Sequence, residues 1–186
     1  MTRRYIALLR GINVGKAKRV AMADLRELFE GLGFTDVRTL LNSGNVVFTG
    51  GATAAVATSA GARIEKALTA SLGVSARVIV LAAAELATIV EENPLAGSIG
   101  DPTRFFVTVL RDPADKKNEK PLKALLAEDF SPEKVALGKR VIYMWCPRGL
   151  LESRSPEAFG KVLRDGATTR NWATITKLLA LASARA

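Results

Sequence analysis

Apolar positions along this chain follow two rhythms, and the change between them marks the elements. Tyr5–Leu9 is an unbroken apolar run that predicts a buried strand. Leu25, Leu28, Phe29 and Leu32 then recur at the spacing of one helical face. They predict a helix over 22–32, stopped by Gly33 as a terminal cap. The stretch VRTLLNSGNVVF (37–48) holds two β-rich runs around the turn residues Asn42-Ser43-Gly44-Asn45, the pattern of a hairpin. A second helix is expected over about 54–72, with Val56, Ala60, Ile64 and Leu68 inward, and ARVIVL (76–81) reads as another strand. The order β-α-β-β-α-β is that of a ferredoxin-like unit in an α+β fold.

The same pattern returns about a hundred residues later. YIALLR (5–10) is echoed by FVTVLR (106–111), LRELFEGLGF (25–34) by LKALLAEDF (122–130), and VRTLLNSGNVVF by VALGKRVIYM (135–144). An internal duplication is the simplest reading. The expected organisation is a first ferredoxin-like unit over 1–82, a helix and linker over 83–103 ending its helix at Asn93-Pro94, a second and incomplete unit over 104–150, and a helical tail over 151–186 packing back on the sheets. Within that tail a long helix is expected to begin near TTRNW, with Thr168 or Thr169 as its cap and Trp172, Ile175 and Leu179 as its apolar stripe.

Composition narrows the chemistry. The chain has 186 residues, 48% of them hydrophobic, enough for one ordinary domain or two small ones. Its longest apolar run, Val78–Ala84, is well short of the ~20 residues a membrane helix requires. The start, MTRRYIALLR, is basic, but its apolar stretch is too short for a secretory signal, so a cytoplasmic protein is expected. There is no histidine, which excludes Ser-His-Asp and Cys-His catalysis and any histidine-ligated metal. The single cysteine, Cys146 in YMWCP, excludes an internal disulfide and reads as a small apolar residue at a strand end. No tight carboxylate cluster suggests a metal. Asp112 and Asp115, in RDPAD, read as a turn. No cofactor is called for.

The net charge is +9, and residues 1–20 carry Arg3, Arg4, Arg10, Lys16, Lys18 and Arg19 with no acidic residue. This balance favours polyanions or phosphorylated ligands. Three stretches could supply the contacts. RGINVGKAKR (10–19) is not a Walker A loop: only three residues separate Gly11 from Gly15, and Ala17 stands where the metal-binding hydroxyl belongs. A glycine-containing strand-to-helix loop can still turn backbone N–H groups toward an anion, with Arg10, Lys16, Lys18 and Arg19 adding charge and Asn13 a neutral donor. SGNVVF (43–48) has the outline of an RNA-recognition strand, but Asn45 replaces the central stacking aromatic, and Phe48 and Tyr5 read as core. Ser43 and Asn45 at the hairpin tip remain as polar contacts. TTRNW (168–172) contributes Arg170 and Asn171, read as the first turn of a helix, with Arg154 and Ser155 in the preceding loop.

YIALLRGINVG, the run M-x-x-L-R-x-L-F-E-x-L-G-F-x-x-V, SGNVVF and TTRNW-x-T-x-x-K-L together resemble the bacterial family of domain of unknown function 1697. The resemblance covers almost the whole chain and implies duplicated ferredoxin-like units. It implies no activity, cofactor or catalytic residue. The matching positions are Arg10, Gly11, Asn13, Gly15, Ser43, Gly44, Asn45, Thr169, Arg170, Asn171 and Trp172. Lys16 stands where a second glycine is usual, and Ala173 where an asparagine is usual.

Three functions fit these readings. The first is non-catalytic binding of nucleic acid or another phosphate-rich polyanion. The second is an enzyme or binder acting on a small phosphorylated or anionic ligand, in a pocket between the two units where the three polar motifs converge. The third is a protein–protein interaction module. The candidate binding residues are Arg10, Gly11, Asn13, Gly15, Lys16, Ser43, Gly44, Asn45, Arg170 and Asn171.

Overall fold

The computed structural model describes residues 2–13, 19–51, 54–112 and 116–184. The fold is α+β and repeats one plan. The first half runs β1 (Thr2–Arg10), α1 (Met22–Gly31), β2 (Thr35–Leu40), β3 (Asn45–Gly51), α2 (Ala54–Ala67), β4 (Arg77–Ala82) and α3 (Ala83–Glu91). The second runs β5 (Phe105–Leu110), α4 (Lys116–Leu126), β6 (Lys134–Leu137), β7 (Val141–Trp145), α5 (Arg154–Leu163), β8 (Ala167–Asn171) and α6 (Trp172–Ser183). Each half builds one antiparallel four-stranded sheet, ordered β2-β3-β1-β4 and β6-β7-β5-β8. The chain divides into two compact units, one of 1–87 with 177–186 and one of 88–176.

In the first unit, side-chain alternation sends Tyr5, Ala7 and Leu9 of β1 to one face of the sheet. There they meet Val46 and Phe48 of β3, Leu25, Leu28 and Phe29 of α1, and Ala60 and Ile64 of α2. Phe48 lies at the centre, its ring centroid 4.5 Å from Phe34, 5.3 Å from Phe29 and 5.6 Å from Tyr5. Ile6 and Leu8, on the other face of β1, are buried as well. That double burial explains why β1 is continuously apolar rather than alternating. It also places Tyr5 and Phe48 in the core, so this sheet presents no aromatic stacking platform. The second unit repeats the scheme with Phe106, Leu110, Ile142 and Met144 against Phe130, Phe159 and Leu163. Cys146 is fully buried in the same cluster, just past β7.

Two expectations for the second half are corrected. The helix expected to begin at Thr168 or Thr169 begins at Trp172, and Ala167–Asn171 is a strand. β-Branched Thr168 and Thr169 pair with Val109 and Thr108 of β5, and the Thr108 and Thr169 hydroxyls lie 2.8 Å apart. The segment taken as a helical tail therefore supplies a fourth strand, and the second sheet is complete rather than partial. The duplication reaches the seventh element too: α6 follows β8 as α3 follows β4.

The hairpin between β2 and β3 packs straight onto the end of β1. Leu9 N donates to the Gly44 carbonyl at 2.8 Å. Gly44 has φ +75°, and a Cβ placed there would lie 2.7 Å from the Leu9 Cβ and 2.8 Å from Ile12 Cδ1. Gly11 shares the left-handed backbone at φ +77°, but open space surrounds it. Gly44→Ala is expected to destabilise by about 3 kcal/mol, strain and collision together, and Gly11→Ala by about 1 kcal/mol from strain alone. Urea unfolding of the two variants checks the difference. Equal losses would mean the tip does not press on β1.

Candidate functional site

The chain leaves β1 at Arg10, which the strand register sets opposite Arg77 of β4. Arg77 is drawn to Glu65 at 3.5 Å, while Glu65 Oε1 accepts from Val78 N at 2.8 Å. Arg10 is half-buried, and Gly11 beyond it is exposed. Gly11 at φ +77° and Asn13 at φ 56° bend the chain sharply, and Ile12 between them is buried against the hairpin tip. Asparagine is among the few residues with a side chain that accept this backbone readily.

Asn13 then acts as a clamp. Its Oδ1 accepts from Val20 N at 2.7 Å, and its Nδ2 donates to the Val20 carbonyl at 3.0 Å. The same Nδ2 donates to the Asn42 carbonyl at 2.8 Å. One amide thus joins the two ends of the 13–20 loop and ties both to the tip of the β2–β3 hairpin. From within, Asn45, fully buried, donates from Nδ2 to the Leu40 carbonyl at 2.9 Å and to Ser43 Oγ at 3.0 Å. The first two motifs of the sequence reading are brought together, in one unit. Gly15 and Lys16, with Val14, Ala17 and Lys18, lie outside the described residues. Arg19 is exposed at the far side of the loop. The helix that follows, α1, is preceded by Ala21, which gives no side-chain hydrogen bond to its first N–H groups.

The second unit is an internal control for this loop. Leu110 N donates to the Arg140 carbonyl at 2.9 Å, the counterpart of Leu9 and Gly44. Residue 140 is there an arginine whose guanidinium folds back, Nε to the Leu110 carbonyl at 2.9 Å and Nη2 to the Arg111 carbonyl at 3.2 Å. The β5–α4 connection is only residues 111–115, against 11–21 between β1 and α1. The basic loop is an elaboration of the first unit alone.

Arg170 and Asn171 belong to the second unit. Arg170 sits on β8 opposite Val107, and its Nη1 donates to Thr168 Oγ1 at 2.9 Å and the Thr169 carbonyl at 2.8 Å. Burial pulls its pKa down to about 10, so it is still a cation at neutral pH. Neither residue lies within a helical turn. Asn171 is the cap of α6, its Oδ1 accepting from Thr174 N at 3.0 Å and Thr174 Oγ1 at 2.7 Å.

A further polar cluster was not legible in the sequence. Glu133, buried, accepts from Arg154 N at 2.7 Å, Ser155 N at 2.9 Å and Ser155 Oγ at 2.5 Å. It caps α5 from 22 residues before Ser155, so no local capping motif announces it. Ser153, in the local cap position, instead donates to the Gly149 carbonyl at 2.7 Å. Burial pushes the Glu133 carboxyl up, but the hydrogen bonds from Ser155 and Arg154, with the charge of Arg148, outweigh it and the pKa is lowered. Burial holds the nearby Cys146 thiol above its ordinary value, which disfavours a reactive thiolate. Among the described residues, no group of three or more Cys, Asp or Glu side chains is placed to hold a metal ion, and no helix is long and apolar enough to cross a membrane.

The family model described as "Protein of unknown function (DUF1697)" matches residues 1–143. Among curated proteins, none matches the chain. A solved structure of the conserved bacterial protein SP0830 from Streptococcus pneumoniae is 23% identical, with 98% of this chain and 100% of that chain covered at a TM-score of 0.76. That likeness shows the shared fold.

Two outcomes test the geometry. Asn13→Asp retains the acceptor for Val20 N but sets a carboxylate against two carbonyls. We expect a loss of about 2 kcal/mol in urea unfolding, with faster proteolytic cleavage inside 13–20. Unchanged cleavage would mean the loop is held without the clamp. For Glu133, the folded-state pKa lies below the ordinary value of 4.5. Its stabilisation is therefore full above that value and is lost as pH falls through the lower folded pKa. Glu133→Gln is expected to flatten this acid-side loss in thermal melts taken across pH 2 to 6, about the carboxylate range. A slope equal to that of the unsubstituted protein would deny Glu133 the role.

Proposed function

The chain belongs to the DUF1697 family, and for this member we propose non-catalytic binding of the phosphate backbone of a nucleic acid or similar polyanion, at the clamped loop of the first unit. The observation that carries the reading is the Asn13 clamp, which ties Val20, next to Arg19, and the hairpin tip to the end of β1 beyond Arg10. Connections that leave a strand end at the surface commonly serve recognition. By sequence the loop brings Arg10, Lys16, Lys18 and Arg19 into one short span, within a chain of net charge +9. Recognition by base stacking on the sheet is disfavoured, because Tyr5 and Phe48 are core. What remains is charge, delivered from a strand end, and such binding is strongly salt-dependent.

Fluorescence anisotropy with single-stranded RNA and duplex DNA, titrated across salt, is the test. Four phosphate contacts predict a log–log salt slope near −3 for a single strand, at ~0.7 per contact. Arg10→Ala with Arg19→Ala is expected to reduce that slope by about 1.4. Loss of all binding near ~150 mM salt, or a slope the double variant leaves unchanged, would show the net charge acting diffusely. Either result rejects the loop as a polyanion site.

A further inference from the structure

Leu41 stands at the hairpin tip in a left-handed conformation, φ 59°, with its side chain 56% exposed. Four non-glycine residues among those described have positive φ, namely Asn13, Asp36, Leu41 and Arg164, and only Leu41 carries an aliphatic side chain. Leucine disfavours this backbone, and glycine or asparagine would relieve it. The turn that carries Leu41 is held at two points. The carbonyl of Leu40 is held by Asn45 Nδ2 at 2.9 Å, and that of Asn42 by Asn13 Nδ2 at 2.8 Å. With the peptide before Leu41 held by Asn45 and the Asn42–Ser43 peptide held by Asn13, Leu41 sits in a turn pinned at two points, its side chain exposed. The matching tip of the second unit, Gly138–Arg140, has no residue of positive φ. Strained backbone of this kind clusters at functional sites.

We infer that Leu41 is the apolar contact for an unpaired base of a single-stranded nucleic acid. The inference rests on the polyanion reading. Asn13 links the tip to the basic end of β1, since its amide binds both Val20, next to Arg19, and Asn42. The neighbours of Leu41 at the tip, Asn42 and Ser43, are exposed and polar, so the apolar surface is one side chain wide. That fits the face of one base. It is too small for a protein interface, which takes about 20 residues a side, and a lipid surface asks for a broader apolar face. Duplex bases are stacked and would first have to be prised apart.

The test compares Leu41→Asn and Leu41→Met with the unsubstituted protein, using fluorescent single-stranded RNA and an abasic strand of the same length. Asparagine accepts the left-handed backbone, so Leu41→Asn should melt at or above the temperature of the unsubstituted protein, which separates contact loss from unfolding. On RNA it should bind about fivefold more weakly, with an unchanged salt slope, while Leu41→Met holds its affinity. On the abasic strand Leu41→Asn should match the unsubstituted protein. If Leu41→Asn binds RNA normally, or loses equally on the abasic strand, the base contact is overturned and the polyanion reading stands. An equal loss on duplex DNA overturns the assignment to single strands. No binding of either strand by the unsubstituted protein at ~150 mM salt removes both readings.

Discussion

The middle of β1 and the whole of β5 are buried on both faces, and that constraint shapes where polar side chains can act. Tyr5, Ala7 and Leu9 serve one face of β1 and Ile6 and Leu8 the other, all buried. Every residue of β5 is buried as well. Central strands buried in this way leave little room for polar chemistry along their length, and it gathers at their ends. There the backbone must turn, left-handed residues gather, and side-chain amides can reach carbonyls from two segments at once.

The duplication makes the consequence visible. Both units join the strand end to the neighbouring hairpin by the same backbone hydrogen bond, Leu9 to Gly44 in one and Leu110 to Arg140 in the other. From that shared joint they diverge. In the second unit the arginine closes over the strand end, its guanidinium taking two carbonyls. In the first, glycine leaves room for Ile12, the connection to the helix is longer and more basic in sequence, and Asn13 binds Val20. The second unit answers its own polar demands internally, with Asn171 capping α6 and Glu133 capping α5. This asymmetry separates the strand end of the first unit from that of the second.

Much of the fold was legible because its determinants are local. The helical face Leu25–Leu28–Phe29, the hairpin at Asn42–Asn45 and the run Tyr5–Leu9 all state their structure within a dozen residues. The strand Ala167–Asn171 was not, because a helix-like apolar stripe follows it at once. Only pairing with β5 separates the two. The candidate residues divide in the same way. Their types and clustering were readable, whereas their roles were not. Asn13, Asn45 and Asn171 read as donors for a ligand, and each is engaged in holding backbone.

The sequence by itself determined the α+β plan, its repetition, the buried character of the central strands and the concentration of positive charge near the start of the chain. These follow from periodicity and composition, which act over a few residues and need no partner. The tertiary structure alone decided which amide meets which carbonyl: Asn13 reaches Asn42 across 29 positions, and Glu133 reaches the start of α5 across 22. Hydrogen bonds are directional and short, so a donor's role is set by where the fold brings its acceptor. No pattern along the chain encodes that distance.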